Sequence, residues 1–406
     1  MFSSTIDQSL SKEKLSNLKY YKYSSIDRSL LSRYVLRHYW DWAIGLFPMN
    51  MAPNLITLIG FTFILMNVAL AYWKAPSLDI DENPPRWIYF SYALGIWLYS
   101  TFDNVDGRQA RRTKSSSPLG ELFDHGCDAL NTVFSLVMQA GALGSGHSRA
   151  TVLLVIIETF GFYLSTQEEY HTGTLYLGYV NAPTEGIVLA LVVFTISGIY
   201  GPAIWRTPVG HVIPNVPSSI ASMSFSYGWI ALVGVFLLLT HIPLCFYSMF
   251  KACRKQGKPF ISTMATECSP IVIYCIAIHS WCMSSYSYIL SHRNFIPFAV
   301  AIGIVFGRMA SKIILAHLTK SSFPKFTVLL IPLVLGAAIA NLPKIPGMPR
   351  LFTPQSELLY IYGFLIFATV VYLRWAIAVI NAFCSYLGIN CFSIVSSKTE
   401  LSSKTN

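Results

Sequence analysis

Runs of about 18 or more apolar residues recur along the whole of this 406-residue chain, and a run of that length crosses the hydrocarbon of a bilayer as a helix. Ten such segments are expected, near 54–74, 87–108, 118–144, 150–168, 185–205, 225–249, 267–290, 294–318, 324–342 and 356–385. The composition agrees: 53% of residues are hydrophobic and only 12% charged. The fold class is therefore all-α, a polytopic integral membrane protein of about ten transmembrane helices. An amphipathic helix precedes them. From Arg28 to about Phe47, Leu31, Tyr34, Val35, Trp42 and Leu46 fall on one face and Arg33, Arg37 and Asp41 on the other. That pattern suits a helix lying in the membrane interface and equally a helix packed on the protein itself.

Against this apolar background one stretch stands out. Asp103-Asn-Val-Asp106-Gly107-Arg-Gln-Ala110-Arg111 is followed after eight residues by Gly120-Glu-Leu-Phe-Asp124-His125-Gly-Cys-Asp128. Four carboxylates thus sit at the facing ends of two apolar segments, where an isolated charge is costly and four anions also repel one another. Something cationic belongs among them, and hard divalent cations take carboxylate oxygens. Helical spacing puts Asp103, Asp106, Gly107 and Ala110 on one side of the first segment, and Gly120, Asp124 and Asp128 on one side of the second. Packed antiparallel, the two helices bring the carboxylates together around a pair of metals. Gly107, Ala110 and Gly120 are small where a nucleotide or a backbone must approach closely. His125, beside Asp124, is the side chain best suited to base work near neutral pH, or it simply hydrogen-bonds a neighbouring carboxylate.

The order Asp103-x2-Asp106-Gly107-x2-Ala110-Arg111-x8-Gly120-x3-Asp124-x3-Asp128 matches the signature of the CDP-alcohol phosphotransferases. The run Gly120–Asp128 further resembles the eukaryotic choline and ethanolamine phosphotransferases. The resemblance implies that Asp103, Asp106, Asp124 and Asp128 hold Mg2+ or Mn2+, two ions in all. It implies that Arg111 helps bind the CDP-alcohol, with Gly107, Ala110 and Gly120 in the same substrate site. His125 is the proton acceptor expected in the eukaryotic branch, while Asp128 has that role elsewhere in the family. Pro53-Asn54-Leu-Ile-Thr57 resembles the family's PNxIT segment, so Asn54 contacts the CDP-alcohol or merely caps the first span. Glu185, in Thr184-Glu185-Gly186, matches an acidic position near the active site, where it orients His125 or the acceptor, or simply favours a helix N-terminus.

The implied reaction transfers phosphocholine, with phosphoethanolamine as a second substrate, from the CDP-alcohol to the hydroxyl of diacylglycerol and releases CMP. Ethanolamine-only or inositol specificity are alternatives within the enzymes. A cation transporter would need acidic or polar groups spread to both faces of the membrane. Here they cluster at one. The resemblance also implies a homodimer in endoplasmic reticulum or Golgi membranes.

Residues 1–49 read as a cytosolic N-terminal segment, loosely ordered up to residue 27. Residues 50–390 read as a single transmembrane domain, and 391–406 as a polar cytosolic tail. Basic residues set the orientation. Lys74, Arg86, Arg149, Arg206, Arg293, Lys344 and Arg350 fall on one side, Arg374 lies within the last span, and the other 21 of 29 share the side of the termini and the Asp103–Asp128 stretch. That side is the cytosol. The net charge of +10 then meets anionic lipid headgroups, and no nucleic acid is implied. No cleavable signal peptide is expected at the N-terminus. The eight cysteines form no CxxC pair and read as reduced packing residues. Glu158, His241, His279 and Arg374, inside apolar segments, read as packing or interhelical groups, and Arg308, Lys312 and His317 as headgroup contacts or topology determinants.

Overall fold

The computed structural model describes residues 10–80, 83–292 and 294–394. A short helix α1 (Lys12–Ser16) and strand β1 (Ser25–Asp27) lead into the amphipathic helix α2 (30–46). Then come α3 (Pro53–Lys74), α4 (Trp87–Arg112), α5 (Pro118–Ala142) and α6 (Arg149–Thr172). Strand β2 (Leu175–Leu177) precedes α7 (Ala182–Tyr200) and α8 (Phe225–Lys255). Helices α9 (Phe260–Glu267), α10 (Ser269–Cys282), α11 (Phe295–Leu318), α12 (Leu330–Asn341) and α13 (Pro354–Leu387) complete the chain.

A helix lies at each apolar run. Helices α3, α6, α7, α8, α11 and α13 are long and apolar enough to cross a membrane, and α9 with α10, bent by 43°, counts as a seventh. The other three expected spans fall short by composition or length. Serine, tyrosine and the acids of the Asp103–Asp128 stretch dilute α4 and α5, and α12 has only 12 residues.

Helix α11 is the axis of the bundle. In its most apolar window 89% of residues are buried, against 17% for α8 and 22% for α13 at the periphery. Small residues let α5 reach it. A Cβ at Gly307 would stand 2.6 Å from Leu130 Cδ2, and one at Gly303 2.9 Å from Phe134 Cε1. The two glycines and the two large residues are each four apart, so a ridge of α5 drops into a groove of α11. Helices α3 and α4 close in the same way. Gly60 faces the Phe102 side chain, and Asn67 Nδ2 donates to the Ser91 carbonyl at 3.0 Å beside Gly95.

The described residues nearest each terminus fold back onto the bundle. Residues 10–27 are not loose: Leu15 and Leu18 are buried against Leu119 and Leu122 of α5 and Ile314, Leu315 and Leu318 of α11. β1 pairs in parallel with β2, Ser25 opposite Leu175, which ties this segment to the end of α6. At the other end the polar tail begins with contacts rather than free chain. Ser393 bridges to Met51, and Phe392 meets Phe123 edge-on at 5.6 Å. Residues 395–406 lie outside the described residues.

Of the two expectations for helix α2, packing on the protein is met. It packs on the protein through Leu36, Trp40 and Ala43, all buried, while Tyr34, Val35, Trp42 and Leu46 stay exposed as an apolar stripe. Arg108 of α4 holds it by donating to Asp41 at 2.5 Å, and Arg112 donates to the carbonyls of Ile44 and Phe47.

One close approach against a large ring gives a direct test of this packing. A Cβ at Gly336 of α12 would lie 2.1 Å from Cη2 of Trp281, whose fully buried ring donates to Glu357 at 2.7 Å. The ring cannot give way cheaply, so Gly336→Ala should cost about 1–3 kcal/mol. It is expected to lower the thermal midpoint of the detergent-solubilised protein, read by scanning fluorimetry, whereas Gly363→Ala, with nothing within 4 Å, should not.

Candidate active site

Helix α5 starts where it does for local reasons. Pro118 occupies its first turn, and the Ser117 hydroxyl accepts from the Gly120 amide at 3.2 Å, a side-chain N-cap. The five residues between α4 and α5 therefore turn the chain tightly and bring the two halves of the acidic stretch face to face.

Asp103, Asp124 and Asp128 meet there. One carboxylate oxygen from each lies within 4.8 Å of the other two. Asp106, one turn along α4, is buried and takes a hydrogen bond from the Thr57 hydroxyl of α3. The buried Tyr99 hydroxyl donates to Asp128 Oδ1 at 2.5 Å. These donors offset only part of the crowding. A hydrogen bond to a charged group contributes about 1.5–3 kcal/mol, while two carboxylates 4.8 Å apart repel by about 3 kcal/mol at an effective dielectric near 20. Asp103 Oδ1 and Asp124 Oδ1 are buried and have no hydrogen-bond partner. Oxygens orphaned in this way, inside a converging set of hard anionic donors, fit a divalent cation.

The remaining residues of the stretch lie on the same two helix ends. Arg111 is exposed, and among the described residues no protein acceptor takes its guanidinium, whereas Arg108 and Arg112 on the same helix are both committed to α2. Its Nη1 lies 3.6 Å from where a Gly107 Cβ would be. Ala110 is half-buried one residue away. Asn54 does not cap α3: Ala52 holds that position, and Asn54, buried within the first turn, places Oδ1 3.7 Å from where a Gly120 Cβ would stand. Its Nδ2 reaches Cys391 Sγ at 3.6 Å, so the returning C-terminal segment touches this corner.

His125 points from α5 toward α6. Its Nδ1 lies 3.8 Å from Glu169 Oε2. Glu185 does not come within ion-pair distance of it. One Glu185 oxygen accepts from the Ser29 hydroxyl and the other from the Asn181 amide at 2.9 Å, so this carboxylate joins the start of α7 to the segment before α2. Behind His125 a second group forms, in which Glu121, Glu169 and His317 each bring a ligand atom within 4.8 Å of the others. Tyr21 covers it, donating to Glu121 Oε2 at 2.8 Å. Burial, and then the Glu121 charge, push the Tyr21 phenol up, so it stands as a neutral donor.

The acidic motif itself does not announce the contacts of Glu169, Tyr21 and Tyr99 in this site. Tyr99 carried a local signal, since it stands four residues before Asp103 on the same face. Glu169 and Tyr21 join through contacts 44 and 100 residues away in the chain.

Comparison with known proteins agrees with this geometry. The family profile described as CDP-alcohol phosphatidyltransferase matches residues 50–233, which include Asn54, the whole acidic stretch and Glu185. The choline/ethanolaminephosphotransferase 1 of Arabidopsis thaliana is 36% identical over 388 residues, 92% of this chain and 95% of its own length. The chain belongs to the CDP-alcohol phosphatidyltransferase family. Two yeast relatives from Saccharomyces cerevisiae extend the comparison. The cholinephosphotransferase 1 is 38% identical over 77% of this chain and 80% of its own length. The choline/ethanolaminephosphotransferase 1 is 39% identical over 79% and 81%. This chain is thus a membrane-embedded transferase of phospholipid synthesis, acting on a CDP-alcohol.

The crowding of carboxylates predicts an unusual response to mutation. In chelator, Asp124→Asn should raise the thermal midpoint, because it removes a repelling charge. Added Mg2+ should stabilise the original protein and leave the variant unmoved. A midpoint lowered by Asp124→Asn in chelator would show that the carboxylates are held by partners other than a cation.

Proposed function

We propose that this enzyme transfers phosphocholine from CDP-choline to the hydroxyl of diacylglycerol, releasing CMP and forming phosphatidylcholine, and that CDP-ethanolamine is a second donor. The observation that carries this reading is the convergence of Asp103, Asp124 and Asp128, with orphaned oxygens, in a chain 36–39% identical to choline and ethanolamine phosphotransferases. The names of those relatives support both alcohols, and the diacylglycerol acceptor follows from the family resemblance.

Asp103, Asp106, Asp124 and Asp128 would hold two Mg2+ or Mn2+ ions, with Thr57 and Tyr99 orienting Asp106 and Asp128 by the hydrogen bonds described. Bound there, the ions would neutralise charge on the pyrophosphate as the phosphorus–oxygen bond to CMP breaks. Arg111, without a protein acceptor of its own, supplies a forked cationic donor to the same phosphates. Gly107, Ala110 and Gly120 keep the surface beside them low, and Asn54 offers an amide at the nucleotide side. His125 takes the proton of the acceptor hydroxyl as that oxygen attacks the phosphorus bearing the alcohol. No covalent intermediate is required. Glu185 acts more remotely, by holding the segment before α2 against α7.

The ten helical segments are read as ten spans, with the site and both termini toward the cytosol of an endoplasmic reticulum or Golgi membrane. The excess of basic residues on that side supports the orientation, and the resemblance supports a homodimer.

The test is CMP release by the purified protein in detergent with diacylglycerol and each CDP-alcohol in parallel. Turnover with both donors is expected, lost in chelator and in Asp103→Asn. Use of CDP-ethanolamine alone would overturn the choline assignment. Full activity in Asp103→Asn would overturn the metal assignment. His125→Ala should lower kcat by about a hundredfold or more while CDP-choline still binds. Near-normal turnover in that variant would move the base to Asp128.

A further inference from the structure

Glu169 stands in the last turn of helix α6, which ends at Gly173 with its left-handed backbone (φ 73°). It is 4% exposed, and among the described residues its carboxylate takes no hydrogen bond. Its one ionic contact is His125 Nδ1, 3.8 Å away. The neighbouring Glu168 is turned elsewhere and accepts from Cys245 Sγ at 3.1 Å. Around Glu169 stand Glu121 of α5 and His317 of α11, within 4.8 Å of it and of one another, but Glu121 is engaged by Tyr21, and His317 makes no ion pair within 4 Å. A buried carboxylate placed between three helices, with the His125 imidazole as its only ionic partner within 4 Å among the described residues, is arranged to act on that imidazole.

We infer that Glu169 is the positioning residue for His125, an inference that rests on the reading of His125 as the base. A carboxylate facing Nδ1 keeps the neutral ring's proton on that nitrogen and turns the Nε2 lone pair toward the reacting centre. When the acceptor oxygen forms its bond to phosphorus, its proton passes to Nε2. The phosphorus–oxygen bond to CMP breaks with its electron pair leaving on CMP. The imidazolium so formed carries a proton on each nitrogen, and the Glu169 charge stabilises it until the Nε2 proton returns to solvent. Glu185 does not fill this role, because both of its oxygens are taken by Ser29 and Asn181.

The experiment uses the full chain in detergent with diacylglycerol, measuring kcat and the KM for CDP-choline. Glu169→Gln removes the charge at nearly constant volume and should lower kcat by about tenfold or more, in the manner of other residues that orient a catalytic histidine. KM should stay within about twofold, because Glu169 touches the base and not the nucleotide. Glu169→Asp, which keeps the charge, should fall between the two. A purely structural role would instead lower the thermal midpoint and move KM and kcat together. If Glu169→Gln does not fold, Glu169→Asp decides the matter: a lowered kcat at constant KM supports positioning, and an unchanged kcat overturns it. Glu169→Gln within about twofold of the original kcat overturns the inference while an inactive His125→Ala leaves the base in place. A fully active His125→Ala removes the base reading itself.

Discussion

Carboxylates crowded into an apolar bundle are the constraint on which the rest of this structure depends. Asp103, Asp124 and Asp128 share a space in which their mutual repulsion exceeds what Tyr99 alone returns. Holding them there needs backbones that cannot move apart. The Gly303/Gly307 groove that receives Leu130 and Phe134 supplies that rigidity along α5, and the Gly60 and Asn67 contacts supply it along α4. The most buried helix of the bundle, α11, therefore carries none of the four acids and serves as the wall against which they are pressed.

The fold and the acidic cluster were legible in the sequence because both are local. Apolar runs fix where helices form, and spacing of three and four fixes which carboxylates share a face. Contacts that close the site are of another kind. Tyr21 reaches Glu121, Asn17 donates to the Thr319 carbonyl 302 residues on, and Asn54 touches Cys391. Nothing in the polar stretch before residue 27 marks it as packed, because its burial rests on only Leu15 and Leu18, spaced too sparsely to show a periodic face. The pairing of His125 with Glu169 rather than Glu185 is likewise a matter of where α6 ends, set by Gly173 and not by any motif.

Helix α2 shows how one sequence pattern can satisfy two surroundings. Its predicted apolar face, with Tyr34, Val35, Trp42 and Leu46, stays exposed, and a different set, Leu36, Trp40 and Ala43, is buried against the bundle. With apolar groups on two sides, the helix can lie at a lipid interface while bonded to α4. The salt bridge from Arg108 to Asp41 and the carbonyl contacts of Arg112 make that attachment specific in register.

The same attachment sorts the three arginines that close α4. Four residues apart, Arg108 and Arg112 share the face that meets α2, and both are consumed there. Arg111 lies off that face, next to Gly107, and among the described residues no protein oxygen takes its guanidinium. A guanidinium that is permanently charged and uncommitted thus stands in the last turn of the helix that carries Asp103 and Asp106. A polyphosphate carrying divalent cations would be complementary to both kinds of group, its oxygens to Arg111 and its cations to the aspartates. By taking up Arg108 and Arg112, helix α2 leaves Arg111 as the arginine of this turn with no protein acceptor among the described residues.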